Sequence, residues 1–344
     1  MHMADALLSP AVGATFWAAS GGAIIYASKK VRLEIDEKKI PLMGVLGAFI
    51  FAAQMINFTI PGTGSSGHLG GGMILAILLG PYAAFLTIAS VLIIQALFFA
   101  DGGLLALGCN IFNMGIFPCF VAYPLIYKNI VRDNPTAGKI TVASVTSSVL
   151  ALQMGAFSVV LQTLLSGRSE LPFTSFVLAM QPIHLAIGVV EGFITAGIVN
   201  FVRQMRPEIL EGAAKSRPLS GLPIRNILAS LAILALLTGG ILSWFASSFP
   251  DGLEWSIEKI YGKAELPESA HNLGRILGGL QEKSAFLPDY GFKEPSSPEN
   301  AIPETDKPEP WPAVSAGTSL SGVVGAALTA GLALLIGLAL KKKR

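Results

Sequence analysis

Apolar runs as long as "PYAAFLTIASVLIIQALFFA" (residues 81–100) recur along this chain and constrain it more than any other feature. About 20 consecutive apolar residues in a helix cross the roughly 30 Å hydrocarbon core of a bilayer. The composition agrees with a bilayer setting. Hydrophobic residues make up 52% of the chain and charged residues 13%, where soluble domains carry roughly a quarter charged. The mean hydropathy is +0.61. A net charge of +2 is too small to suggest a nucleic-acid partner. Cys109 and Cys119, ten residues apart in an apolar stretch, read as small buried hydrophobes and not as a disulfide framework.

The runs place spans near residues 9–27, 42–60, 67–79, 81–100, 103–127, 141–165, 175–202, 225–248 and 317–340. The predicted fold is therefore an all-α, multi-pass membrane protein. A seven-span capture bundle is followed by two more spans that flank a large outer loop. The third span is short and meets the fourth at Gly80-Pro81, which predicts a tight helical hairpin or a broken helix.

Lysine and arginine set the orientation, because cytoplasmic loops carry their excess. One set of loops holds Lys29, Lys30, Arg32, Lys38 and Lys39, then Lys128, Arg132 and Lys139, then Arg203, Arg206, Lys215, Arg217 and Arg225, then the terminal Lys341–Arg344 cluster. The opposite short loops hold only Arg168. Nine spans put the first set on one side and eight do not. The expectation is a plasma (inner) membrane protein with its amino terminus outside and its carboxyl terminus in the cytoplasm. A cleaved signal peptide needs a positive segment before its apolar core, and none precedes this one. Removal of the first methionine needs a small second residue, and His2 is large. Met1 is expected to stay, with its free amine.

A polar stretch with three prolines, Met205 to Pro223, reads as a cytoplasmic linker. It divides the chain into a bundle at 1–205, a linker at 206–224 and a two-span region at 225–344, whose extracytoplasmic loop covers 249–316. Between Pro250 and Pro312 that loop has twelve acidic and six basic residues. Its end, "PSSPENAIPETDKPEPWP", is expected to be extended, and "PDGLEWSIEKIYG" is expected to form a short helix after its proline and glycine.

Four histidines are distributed over this chain: His2, His68, His184 and His271. A free amine, the deprotonated amide of residue 2 and the imidazole of residue 2 form two fused chelate rings in a near-planar nitrogen set. Such sets suit Ni(II) or Cu(II) among divalent ions. Taken alone, His2 reads equally as an exposed residue at a frayed end. His68 lies in "GTGSSGHLGGG" on the same outer side, where glycines allow close backbone approach. His184 and Glu191 are seven residues apart, on one helix face about two turns from each other. They suit either a transport path or a hydrogen bond between helices. Asn110 and Asn113 suit either orientation of His2 or His68 or helix–helix contact. Asp101 falls at the outer edge of its span, and His271 reads as a surface residue. A competing motif is "GSSG" at 64–67, which fits a G-x-S-G serine site as in rhomboid intramembrane proteases, with Ser66 as nucleophile and His184 as its base. No zinc-protease pattern and no phosphate-binding loop is present, so any ATP-driven role needs a partner.

"MHMADALLSP", "GTGSSGHLGGG", "DGGLLALGCNIFNMG" and "HLAIGVVEGFIT", in that order, resemble the CbiM/NikM family. Its members are substrate-capture components of energy-coupling-factor transporters for cobalt and nickel. The resemblance covers roughly residues 1–205. The remainder, with "FPDGLEWSIEK" and "LPDYGF" before a last span, looks like the small CbiN/NikN-type partner fused on. This resemblance implies that the amine of Met1, the amide and imidazole of His2 and the imidazole of His68 hold Ni(II) or Co(II) in a square plane, as substrate and not as cofactor. It implies an energy-coupling transmembrane protein and two ATPase subunits as partners, met by the linker and inner loops. The departure is Ala4 and Ala6, where the family usually has Pro and Gly.

Overall fold

The computed structural model describes residues 2–132, 135–215, 218–219, 223–267, 272–293 and 311–341. Met1, His271 and most of the proline-rich stretch lie outside the described residues. A 3-10 turn at Asp5–Leu7 precedes α1 (Pro10–Glu34) and α2 (Lys39–Gln54). Next come β1 (Phe58–Ile60), β2 (Ser65–Gly67), α3 (Gly72–Leu79) and α4 (Pro81–Phe99). A further helix runs unbroken as α5 (Leu107–Ile111), a π-helical segment (Phe112–Tyr127) and α6 (Lys128–Val131). Then follow α7 (Ala137–Leu165), α8 (Phe173–Met205), α9 (Pro207–Ala214) and α10 (Arg225–Gly240). The remainder is α11 (Gly252–Tyr261), α12 (Asn272–Ser284) and α13 (Ala316–Leu340).

Local chemistry explains many of these boundaries. Ser9 accepts from the Val12 amide and Pro10 opens α1, a favoured start because proline lacks only an amide that would be orphaned there. Thr136 caps α7 in the same way. Pro118 and Pro124 lie inside the π-helical segment; each removes a backbone donor, and the wider turn accommodates the gap.

Among the described residues, five helices are long and apolar enough to cross a membrane: α4, the Leu107–Val131 helix, α7, α8 and α13. Helices α2 and α10 are shorter apolar helices. Large apolar side chains such as Leu165, Leu178, Phe193 and Leu335 face outward from them, as lipid contact requires. The two halves of the chain are packed together: α13 and α10 both lie against α2. Close approaches use glycine, with Gly192 of α8 against Val145 of α7 and Gly239 of α10 against Gly322 of α13. Small residues let helix backbones approach where no water drives association.

The run expected to span 42–60 ends its helix at Gln54. Phe58–Ile60 instead pairs antiparallel with Ser65–Gly67, with Thr59 opposite Ser66. The polar "PGTG" turn closes this hairpin, so its strand carries a short apolar tail out of the helix. Helix α3 is entirely buried and, at eight residues, only about 12 Å long. It is a half-helix, and Gly80 at φ +79° turns it directly into α4.

Candidate functional site

The amino-terminal strap is fastened along its backbone. The Met3 amide donates to Asn110 Oδ1 (2.8 Å), and Asn110 Nδ2 donates back to the Met3 carbonyl (3.2 Å). The Gly103 amide donates to the same carbonyl (3.0 Å), and the Ala106 amide to Asp5 Oδ1 (2.9 Å). Gly103 has to be glycine, because a Cβ there would strike the Asp5 side chain. Met3, Leu7 and Leu8 are buried below the strap. Residue 2 is thereby fixed at one end of the bundle.

His68 arrives there from the other direction. It follows β2 and precedes the N-terminus of α3. Glu191 of α8 accepts from the amides of Gly70 (2.7 Å) and Gly71 (3.1 Å). A carboxylate at a helix N-terminus satisfies orphan donors and complements the helix dipole. The rings of His2 and His68 are stacked, with centroids 5.0 Å apart and planes 17° from parallel.

The hydrogen bonds fix which nitrogen of each ring carries the proton. A carbonyl only accepts, so His68 Nδ1, 3.0 Å from the Leu69 carbonyl, carries the proton, and Nε2 has the lone pair. For His2 the argument runs through two buried amides. Gln54 Nε2 donates to the Gly70 carbonyl (2.9 Å), so Gln54 Oε1 accepts from Gln95 Nε2 (2.9 Å). Gln95 Oε1 then accepts from His2 Nε2 (3.2 Å), leaving the lone pair on His2 Nδ1. Burial pushes both imidazoles down to about 3, so both are neutral and competent as ligands at ordinary pH.

Each lone-pair nitrogen faces a carboxylate. His2 Nδ1 lies 3.3 Å from Asp101 Oδ1, and His68 Nε2 lies 3.7 Å from Asp251 Oδ2. Both pairs bring a carboxylate and an imidazole nitrogen together at this end of the bundle. Tyr290 donates to the other oxygen of Asp101. Burial pushes the Asp101 carboxyl up. For Asp251 burial acts the same way, but the charge of the amino terminus and the Glu254 amide outweigh it and hold the group below the usual carboxylate range. A cavity of about 590 Å³ opens onto these residues; Asp5, Asp101, Asp251, Glu254, Glu265 and Asp289 line it together with both histidines, and among the described residues no Lys or Arg does.

Among the described residues no group of three or more His, Cys, Asp or Glu side chains is arranged to hold a metal ion. Met1, whose amine is one expected donor, lies outside the described residues.

The other expected residues fall as follows. Asn110 holds the strap and not an imidazole. Asn113 exchanges hydrogen bonds with Gln162 (2.8 and 2.9 Å) and lies 3.7 Å from Met3 Sδ. His184 Nδ1 donates to the Met180 carbonyl of its own helix (2.8 Å). Both cysteines are free and buried. The serine-protease alternative is not supported. Ser66 is wholly buried, pairs within the hairpin, and donates its hydroxyl to the Phe249 carbonyl (2.7 Å) while its amide donates to Pro250 (2.8 Å). Its hydroxyl is bonded to main-chain carbonyls, and His184 is bonded to the Met180 carbonyl.

Sequence reasoning missed Gln54, Gln95, Asp251 and Tyr290. The two glutamines carried a signal: buried amides inside otherwise apolar helices imply partners. Asp251 and Tyr290 carried none, since each reaches the site across more than 180 residues of sequence.

Residues 2–209 match the family model described as the cobalt uptake substrate-specific transmembrane region, and residues 225–342 match the PDGLE domain. The fused nickel transport protein NikMN of Rhodobacter capsulatus is 31% identical over 312 residues, covering 84% of this chain and 88% of that protein. The cobalt transport protein CbiM of Sorangium cellulosum is 33% identical over 216 residues, covering 61% of this chain and 95% of its own. A solved structure of a transition metal transporter aligns with a TM-score of 0.53 at 32% identity, over 62% of this chain and 99% of that one. With its first part matching the CbiM region and its second the PDGLE domain, the chain belongs to the CbiM/NikM family and carries a NikN-like part fused behind it.

Proposed function

We propose that this protein captures Ni(II) or Co(II) on the outer face of the plasma membrane as the substrate-specific component of an energy-coupling-factor transporter. The observation that carries the reading is the stacked pair of neutral imidazoles, His2 and His68, both with a lone-pair nitrogen facing a carboxylate in an acidic cavity. The amine of Met1, the amide and Nδ1 of His2 and Nε2 of His68 complete a four-nitrogen plane around the ion. The names of the fused nickel and single cobalt relatives support this substrate class. Asn110 and Asn113 act behind the ligands by holding Met3, and Glu191 by holding the turn after His68. His184 lies further along the path of the ion.

In this reading the chain has seven spans followed by two, with residues 1–205 as the capture bundle, 206–224 as a cytoplasmic linker and 225–344 as the fused part with its outer loop at 249–316. The amino terminus is outside and the carboxyl terminus inside. The chain is not itself an enzyme. A coupling membrane protein and two ATPase subunits supply the energy, docking at the inner loops and the linker. Calorimetric titration of the purified chain tests the substrate assignment. One equivalent of nickel or cobalt is expected to bind, with affinity reduced at least tenfold in His68→Ala and kept within a few-fold in Ser66→Ala. Equal binding by His68→Ala contradicts the ligand set.

A further inference from the structure

The fused part does more than pack beside the bundle: its outer segment is stitched to the turn that carries His68. The Ser247 amide donates to the Asn57 carbonyl (2.7 Å), and the Ser66 amide to Pro250 (2.8 Å). Ser66 Oγ donates to Phe249 (2.7 Å), and Trp255 Nε1 to the Thr63 carbonyl (3.1 Å). These bonds flank Asp251 on both sides. Asp251 is also the N-cap of α11, in a capping box with Glu254. Its two oxygens point in different directions. Oδ1 accepts from the amides of Leu253 (2.7 Å) and Glu254 (2.9 Å). Oδ2 faces His68 Nε2 at 3.7 Å.

That distance is longer than a hydrogen bond. An ion seated on Nε2 therefore lies within a few ångström of Oδ2, close enough for the carboxylate's charge to act on it with neither side chain moving. Charge asks for such a group. A dication held by four nitrogens, one of them a deprotonated amide, retains a net positive charge in a buried site, and an uncompensated buried charge is costly.

We propose that Asp251 is a binding residue of the capture site, supplying from the fused part of the chain the negative charge that compensates the ion bound at His68. This rests on the metal-capture reading above. The capture site then belongs to both parts of the chain, and the first part alone holds an incomplete version of it.

The test uses the full chain with its native amino terminus and compares nickel affinity in Asp251→Asn, Asp251→Ser and Glu265→Gln. Asparagine and serine both cap helices well, so α11 is kept while the carboxylate is lost. Glu265 is an exposed carboxylate on the same cavity wall. The expected result is a fall of at least tenfold in both Asp251 variants and under twofold in Glu265→Gln. At saturating metal the visible absorption of nickel in the variants matches that of the native chain, because the nitrogen set is unchanged. Thermal unfolding midpoints within a few degrees of native accompany it. Native affinity in the Asp251 variants overturns the proposal. An equal fall in Glu265→Gln also overturns it, since the cavity's general field then accounts for the effect. Loss of the nickel band at saturation overturns it too, by showing a purely structural role. Failure of the native chain itself to bind metal sinks the capture reading instead, and is seen before any variant is compared.

Discussion

The chemistry of His2 depends on two glutamines more than on any charged group. Gln54 and Gln95 are buried in α2 and α4 and transmit the direction of one hydrogen bond from the Gly70 carbonyl to His2 Nε2. Replacing Gln95 by Leu removes the partner that fixes the ring's tautomer. Partners of this kind typically contribute 10- to 100-fold to metal affinity, and a loss of that size is expected on calorimetric titration; an unchanged affinity would break the relay argument. The pH dependence follows from the same burial. With both imidazoles held at about 3, they do not compete with protons between pH 8 and pH 5, contrary to the behaviour of exposed histidines. The amine and the amide must still release protons when an ion binds. Capture is therefore expected to weaken as pH falls across that window, with the loss carried by the terminal chelate. Binding that stays flat from pH 8 to pH 5 would remove the amine and amide from the ligand set.

At the scale of elements, α3 depends on a cap that its own segment does not supply. Gly71 adopts φ +76°, and the amides of Gly70 and Gly71 find their acceptor on Glu191, 120 residues away. Glu191→Ala leaves two buried donors unpaired. Each costs about 1–3 kcal/mol, so a loss of roughly 2–6 kcal/mol is expected as a lower unfolding midpoint in detergent, with Glu191→Gln milder because it keeps an acceptor oxygen. Equal stability of the alanine variant would argue that other groups cap the half-helix. The sequence made the long helices legible because lipid demands continuous apolar length, and α4, α7, α8 and α13 follow their runs closely. It did not reveal the hairpin at 58–67. Three-residue strands leave too little alternation to read, and Phe58 and Ile60 continue the apolar run of α2. The short helix at "PDGLEW" was legible from its proline and glycine, with the small difference that α11 begins at Gly252 and not after it.

On the scale of the whole molecule, the two parts meet at one cavity. The histidines come from the first part, and Asp251 and Tyr290 come from the second. Helices α10 and α13 hold the second part against α2 of the first. The histidine pair could be suspected from the sequence because both residues fall on one side by the charge rule. The contacts between parts could not, because they follow from packing alone. The central claim, that the ion is held on the chain's own free end, has one direct test. Nickel or cobalt binding is measured for the native chain bearing a carboxyl-terminal tag and for the same chain with one extra residue before Met1. The extension displaces the amine and breaks the fused chelate while leaving the buried strap at Met3 in place. Stoichiometric binding by the native chain, lost on extension, is the predicted result; equal binding by both would show that the terminus is not a ligand.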